Sequence, residues 1–417
     1  MRKSGITIRR HSGERGQTIL LVAVSLVALL GMAALAIDVV TLYVARSEMQ
    51  RAADAAALAG AKAFVDSGVT SDPTSPARQL LAQTMATTVI NSILPQNKVS
   101  GAPPVLVAGS PTFAFGPPGT ANPHLTVTLQ RTDLPTFFAR IWGSRLATVT
   151  ASAVAEAYNP AGAPANYPPI APKGVKPLLV PNLDPNRGGA PYIPTVATGV
   201  VAPGVVGEGP FTLADGCPNG AATCGLPVVL PSPSTGNYYL PAVVTPNPAN
   251  LCPSCLGASD FEHSIECCDF NLYSCGGATP NVTVDTLMNG NSSRQDVHNG
   301  MQCLLHSPSA DTIVVDDLLA GTGPAKITAN SGPKVGNLVT TSSSIAILPI
   351  FDPASLNAAG QVTIVGFMQA FIAGSNGSGD ITGVTILNVV GCGSNPGPPP
   401  PVLGGGYSPI PVRLIHQ

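Results

Sequence analysis

The sequence predicts an α+β protein, a long N-terminal transmembrane helix followed by β-rich, Pro- and Gly-rich extracytoplasmic domains. Three observations carry this expectation. Residues Ile19 to Ile37 contain no charged side chain and follow a basic N-terminus. Gly and Pro number 44 and 43 in 417 residues, while charged residues make up only 10%, less than half of the roughly 25% usual in soluble domains. In the C-terminal third, apolar residues come in short β-branched runs bounded by Gly, Asn, Asp or Pro, which is how the strands of a sandwich or barrel are written.

The basic tail, residues 1–16, carries Arg2, Lys3, Arg9, Arg10 and Arg15 against Glu14 alone. As a helix the charge-free run rises about 28 Å, close to the roughly 30 Å hydrocarbon thickness of a bilayer. Lys- and Arg-rich flanks stay in the cytoplasm, so the N-terminus faces in and Asp38 opens the outer portion. A competing reading is a signal peptide cut after Ala36, because Ala34-Leu35-Ala36 has the small-x-small pattern of a cleavage site; the run is longer than the usual 7–15-residue signal core. Both readings export the rest of the chain.

Helix formers continue beyond the span, so the helix is expected over 17–66. Ala52, Ala56 and Gly60, and likewise Ala53, Ala57 and Ala61, recur every four residues and line one face with small side chains. Another helix or a sheet could approach such a face closely, although a segment this rich in alanine shows small residues at every spacing.

Arg15-Gly-Gln-Thr, the apolar run ending Ile37-Asp38-Val, Tyr43, and Arg46-Ser-Glu-Met-Gln-Arg-Ala-Ala-Asp-Ala-Ala-Ala-Leu-Ala-Gly-Ala61 together resemble the N-terminal domain of the TadG-like and TadE-like proteins of Flp (Tad) pilus assembly. The resemblance implies a single-pass, pilin-like protein of the bacterial inner membrane, with the N-terminus cytoplasmic and the bulk periplasmic or extracellular. It makes Arg15, Gly16, Asp38, Gln50 and Asp54 the family-motif positions. It implies as partners the lipid bilayer and other pilus-assembly or envelope proteins, with self-association through the N-terminal helix open. Two departures matter. Pilin-type processing after Gly16 would want glutamate five positions on, where Leu21 stands, and no Asp-x-Ser-x-Ser metal loop of the von Willebrand factor A type occurs.

The same resemblance extends weakly over a small α+β domain at 67–158. There His124–Gln130 alternates as a half-buried strand, residues 134–143 read as a short helix, and Ala147–Ala155 reads as a second strand. Phe137 and Trp142 read as core aromatics. Residues 159–194 hold a succession of prolines and read as a linker or a strand-edge wrapping segment. A β-rich, disulfide-containing domain follows at 195–394, with strands expected at 313–315, 344–351, 361–372 and 381–390. A Pro/Gly-rich tail closes the chain at 395–417.

All nine cysteines fall in the outer half: Cys217, Cys224, Cys252, Cys255, Cys267, Cys268, Cys275, Cys303 and Cys392. In an oxidising compartment disulfides are their first reading, with connectivity open. Cys252-Pro-Ser-Cys255 has redox spacing but lacks the strand and helix that would activate a thiolate. A zinc site from Cys252, Cys255, Cys267 or Cys268 and Cys275 with His263 has the ligand types without the usual paired spacing. No hydrolase elbow, phosphate loop or paired-histidine motif occurs, and His298 and His306 read as solvated loop residues. The expectation is a non-enzymatic protein with no cofactor, no metal and no small-molecule substrate. A net charge of −2 supplies no field for nucleic acid.

Overall fold

The computed structural model describes residues 14–116, 121–139, 143, 146–160, 170–213, 260–267, 281–283, 291–306, 317–319, 326–330, 335–339, 342–355, 361–377, 380–393, 402–403 and 408–415. The first module comprises α1 (Glu14–Ser67), α2 (Pro76–Ile93), β1 (Val105–Leu106), β2 (Thr112–Ala114), β3 (His124–Pro135) and β4 (Leu146–Ala157). Short elements follow: β5 (Ile170–Ala171), β6 (Val180–Pro181), β7 (Phe211–Leu213), α3 (Asp260–Glu266), β8 (Asn281–Thr283), α4 (Asn291–His306), β9 (Asp317–Leu319), β10 (Lys326–Thr328) and β11 (Leu338–Val339). The long strands of the second module are β12 (Ile345–Asp352), β13 (Gln361–Phe371) and β15 (Ile381–Gly391), with β14 (Gly374–Ser375) between the last two. The C-terminal strands are β16 (Val402–Leu403) and β17 (Val412–Ile415).

At about 1.5 Å per residue, α1 is about 81 Å long. Its first half and second half have different surroundings. From Thr18 to Leu30 every side chain is exposed, and among the described residues this is the one helix long and apolar enough to cross a membrane. From Ala34 onward a stripe turns inward: Ala34, Asp38, Ala45, Met49, Ala52, Ala53, Ala56 and Ala57 are buried. The spacings of three and four place these residues on one face of the helix.

That stripe lies on the first sheet, in which β1, β3, β4 and β17 run in that spatial order with β2 also on β3, all antiparallel. β3 alternates half-buried and buried residues from His124 to Arg131, because one face meets α1 and the other meets solvent. Helix α2 packs on α1 through Ala82, Ala86 and Ile90.

In the second sheet the order is β14, β15, β13, β12 and β6, with β7 on β15 and β8 on β13. Apart from the parallel pair of β12 and β6, its pairings are antiparallel. The second sheet joins the first through one continuous core, in which Phe64, Val69 and Tyr158 share a cluster with Ile347, Phe351, Phe367 and Val390.

The prolines of 159–194 do not leave their described part free of pairing. β6 pairs with β12, Lys176 N–H donates to Ile347 O at 2.8 Å, and Leu178, Leu179 and Val180 are buried. Proline is tolerated there because β6 is an edge strand, where a missing donor costs no ladder bond. Part of the C-terminal 395–417 segment likewise pairs: β17 pairs with β4 from Val412↔Ala157 to Ile415↔Val154. Arg413 anchors it, with Nε 2.6 Å from Glu156 Oε1 and its guanidinium 4.2 Å above the Tyr158 ring. The strand expected at 313–315 lies outside the described residues. Of the short helix expected at 134–143, Leu134 and Pro135 instead end β3 and Phe137 and Phe138 form a bend, because their chain turns to offer its amides to Asp38, while 140–142 lie outside the described residues.

Candidate functional site

Three of the five family-motif positions, Asp38, Gln50 and Asp54, lie on the part of α1 that packs on the body. Asp38 stands one residue beyond the charge-free run and is buried. Its Oδ1 accepts the Phe137 N–H at 2.8 Å, and its Oδ2 accepts the N–H groups of Phe138 at 3.0 Å and Ala139 at 2.6 Å. Three consecutive amides at the end of the β3–β4 hairpin are therefore capped by one carboxylate. Ionised acceptors make the stronger hydrogen bonds, so the carboxylate ties the hairpin tip to the helix across a hundred residues of sequence.

One face of α1 continues the attachment. Glu48 Oε2 accepts the Ser100 N–H at 2.7 Å. Gln50 Nε2 donates to Asp54 Oδ1 at 2.8 Å and to Ser152 O on β4 at 3.2 Å, so Asp54 orients the amide that reaches the sheet. Between these polar ties the small side chains allow close approach. A Cβ on Gly60 would lie 3.0 Å from Ile90 Cδ1 and 3.1 and 3.2 Å from the two Leu125 methyl carbons. Helix α1, helix α2 and β3 thus converge on a position that only glycine fills without displacement. Arg15 and Gly16 lie in the first turn of α1, away from this group.

Arg131, buried on β3, clamps the loop that Glu48 also holds. It donates from Nη1 to the carbonyls of Val99 and Ala102, and from Nε and Nη2 to the two oxygens of Asp133 at 2.7 and 2.9 Å. That bidentate bond holds the Asp133 carboxyl below the usual carboxylate range. At the far end of α1, Asn388 on β15 is fully buried. Its Nδ2 donates to Val65 O at 2.9 Å and Thr70 Oγ1 at 2.8 Å, while its Oδ1 accepts from the Ser71 hydroxyl.

The aromatic expected in the core is outside it. Phe137 is 54% exposed, because the backbone there is turned so that its N–H reaches Asp38. Trp142 lies outside the described residues.

A second polar cluster sits in the loop after β6. Asp184 Oδ2, Tyr192 Oη and Glu208 Oε2 are all sealed from solvent without a hydrogen-bond partner among the described residues. Arg187 Nε lies 3.8 Å from Glu208 Oε1. Burial, then the bond to and charge of Asp184, pushes the Glu208 carboxyl up to about 7. The Tyr192 phenol is also raised, by burial and then by the two acids. Two facing carboxylates contain no donor, so a proton held between them supplies the missing bond.

Cys267, Cys303 and Cys392 are each disulfide-bonded; the other six cysteines lie outside the described residues. No group of three or more His, Cys, Asp or Glu side chains that could hold a metal occurs among the described residues. His298 Nδ1 is 3.0 Å from Ser375 Oγ, and His306 ends α4.

An apolar helix bare along its first half and clamped to an α+β body along its second fits a membrane-anchored protein. Residues 16–63 match the Tad family model, described as Flp pilus-assembly TadE/G-like, so the chain is TadE/TadG-like over this helix. The match takes in Gly16, Asp38, Gln50 and Asp54. No curated protein and no solved structure matches the chain.

Proposed function

We propose that this chain is a single-pass, inner-membrane component of a Flp/Tad-type pilus assembly or secretion system, with a non-enzymatic role in assembly, anchoring or surface contact. The observation that carries the reading is the family match over residues 16–63 on a helix whose burial begins at Ala34. The N-terminus is cytoplasmic and the body lies on the outer side, because the basic flank is N-terminal. The alanine face of α1 is occupied by the chain's own sheet, so self-association through this helix would use the exposed segment before Ala34. The cysteines serve the outer body as disulfides, and because nine is an odd number one thiol is free or pairs between chains.

Release after Ala36 is the competing reading. Its disadvantage is length and continuity: the charge-free run Ile19–Ile37 is longer than the usual 7–15-residue signal core, and α1 is unbroken through 34–38. Intact mass of the protein isolated from membranes separates the two, since loss of residues 1–36 would contradict anchoring. The pilus role is tested by deleting the chain from its native bacterium and counting surface pili by electron microscopy. Wild-type piliation in the deletion strain would contradict it.

A further inference from the structure

We propose that the described end of the β3–β4 hairpin, residues 134–139 with 146–147, is a second membrane contact, resting in the outer-leaflet interface beside α1 with Phe137 and Leu146 against lipid. The inference rests on the anchored reading of α1 and adds to it a specific surface with lipid as its partner.

The depth of the tip follows from its bonds. Asp38 caps the amides of Phe137, Phe138 and Ala139, so these residues are level with the first position after the charge-free run Ile19–Ile37. The cover on the helix extends further toward the cytoplasm, because Ala34 is only 9% exposed and Gly31 is half-buried. Four residues separate Ala34 from Asp38, which is about 6 Å along the helix axis. The body therefore overlaps the outer end of the span by about one turn, comparable to the roughly 5–10 Å depth at which interfacial elements lie.

Chemistry at this level favours lipid over water. Phe137 is 54% and Leu146 60% exposed, and the chain between them carries Arg140 and Arg145, side chains of the kind that lay their stems on apolar surface and hold their charge at the headgroups. Pro135 pairs with Leu146 across the hairpin, so the two apolar side chains belong to the same end of the sheet. On α1 the exposed apolar surface continues past Asp38 through Val39, Val40 and Tyr43. Tyrosine at this height belongs to the aromatic belt of membrane interfaces. Asp38 joins this end of the sheet to the outer end of the bare span, so the medium that covers the span is at hand to cover it.

Two attachment points change what α1 can do. A body hung on one helix swings about it, whereas a body that also rests on the leaflet holds α1 at a fixed tilt and height. Asp38 acquires a purpose in this arrangement. It satisfies three backbone donors at the edge of the hydrocarbon, where water is scarcer and an unsatisfied amide costs more than in bulk water.

The test uses full-length protein in vesicles of phosphatidylcholine and phosphatidylglycerol, with Trp142→Phe as background and one tryptophan placed at a time. Phe137→Trp is expected to emit at blue-shifted wavelength and to be quenched by lipids brominated near the headgroup end of their chains. Leu26→Trp reports the span and is expected to be quenched by bromines near the chain ends. If Leu26→Trp is quenched and Phe137→Trp stays open to aqueous iodide, the hairpin contact is wrong and the anchor stands. If neither is quenched by bromolipid, the anchor and the contact fall together. A blue-shifted Phe137→Trp indifferent to bromolipid means that protein covers the tip, which overturns the proposal.

Discussion

Gly60 offers the most direct test of how closely the long helix lies on its sheet. Replacing it with alanine sets two effects against each other. Alanine in a helix interior is favoured over glycine by about 1 kcal/mol, so an open site would be stabilised by that amount. Here the new methyl carbon would lie 3.0 Å from Ile90 Cδ1 and 3.1 and 3.2 Å from Leu125 carbons. These distances fall inside the roughly 3.5–4.0 Å optimum for carbon pairs, and overpacking of this kind costs about 1–3 kcal/mol. Repulsion wins, and Gly60→Ala is expected to lower stability by about 1 kcal/mol net. Chemical denaturation of the full chain in detergent, followed by circular dichroism, reads the difference. Because the nearest atom is Ile90 Cδ1, Ile90→Val removes it, and the two substitutions together should cost less than their sum. A stabilisation of about 1 kcal/mol by Gly60→Ala, additive with Ile90→Val, would refute close approach of α1 to α2 and β3.

Asn388→Ala strands the buried Thr70 hydroxyl and removes one bond each from Val65 O and the Ser71 hydroxyl, which keep Gly68 N–H and Val389 as partners; an unsatisfied buried group costs about 1–3 kcal/mol, and the loss should appear in the same denaturation curves. Glu208 yields a pH dependence with a definite sign. Its folded carboxyl keeps its proton up to about 7, whereas an unfolded glutamate loses it near roughly 4.3. The stabilisation is therefore complete below the unfolded value and is lost as pH rises through 7, by about 1 kcal/mol after allowance for solvent screening at this partly exposed group. Glu208→Gln should flatten that stretch of the profile, and an unchanged slope would contradict a proton shared with Asp184. Reduction should separate Cys267, Cys303 and Cys392 from their partners and lower stability by about 2–5 kcal/mol. Mass mapping of alkylated peptides before and after reduction checks the linkage, and alkylation of these three without reductant would refute it.

Much of the architecture was legible because the signal was strong where it counted. The charge-free run announced α1, and His124–Gln130 announced β3 through alternation. β12, β13 and β15 stood out as β-branched runs and fall within a residue or two of expectation. Helix α2 was missed because its buried residues are Ala82, Ala86 and Ile90, a stripe too weakly apolar to show periodicity. β17 was missed because four residues behind prolines carry little pattern, and their pairing to β4 is a long-range fact. The family motif marked Asp38, Gln50 and Asp54, but nothing local says that an aspartate caps amides a hundred residues away. Asn388 and Arg131 are invisible for the same reason. Phe137 was misplaced because aromatic character was read as burial, while its backbone is turned toward Asp38 and its side chain is exposed.

Sidedness tests the central claim most directly, namely that α1 crosses a bilayer and holds the folded body against its outer face. Protease added to intact spheroplasts should remove the chain beyond Asp38 and leave an epitope on residues 1–16 protected. Digestion of the N-terminal epitope with the body untouched would contradict it.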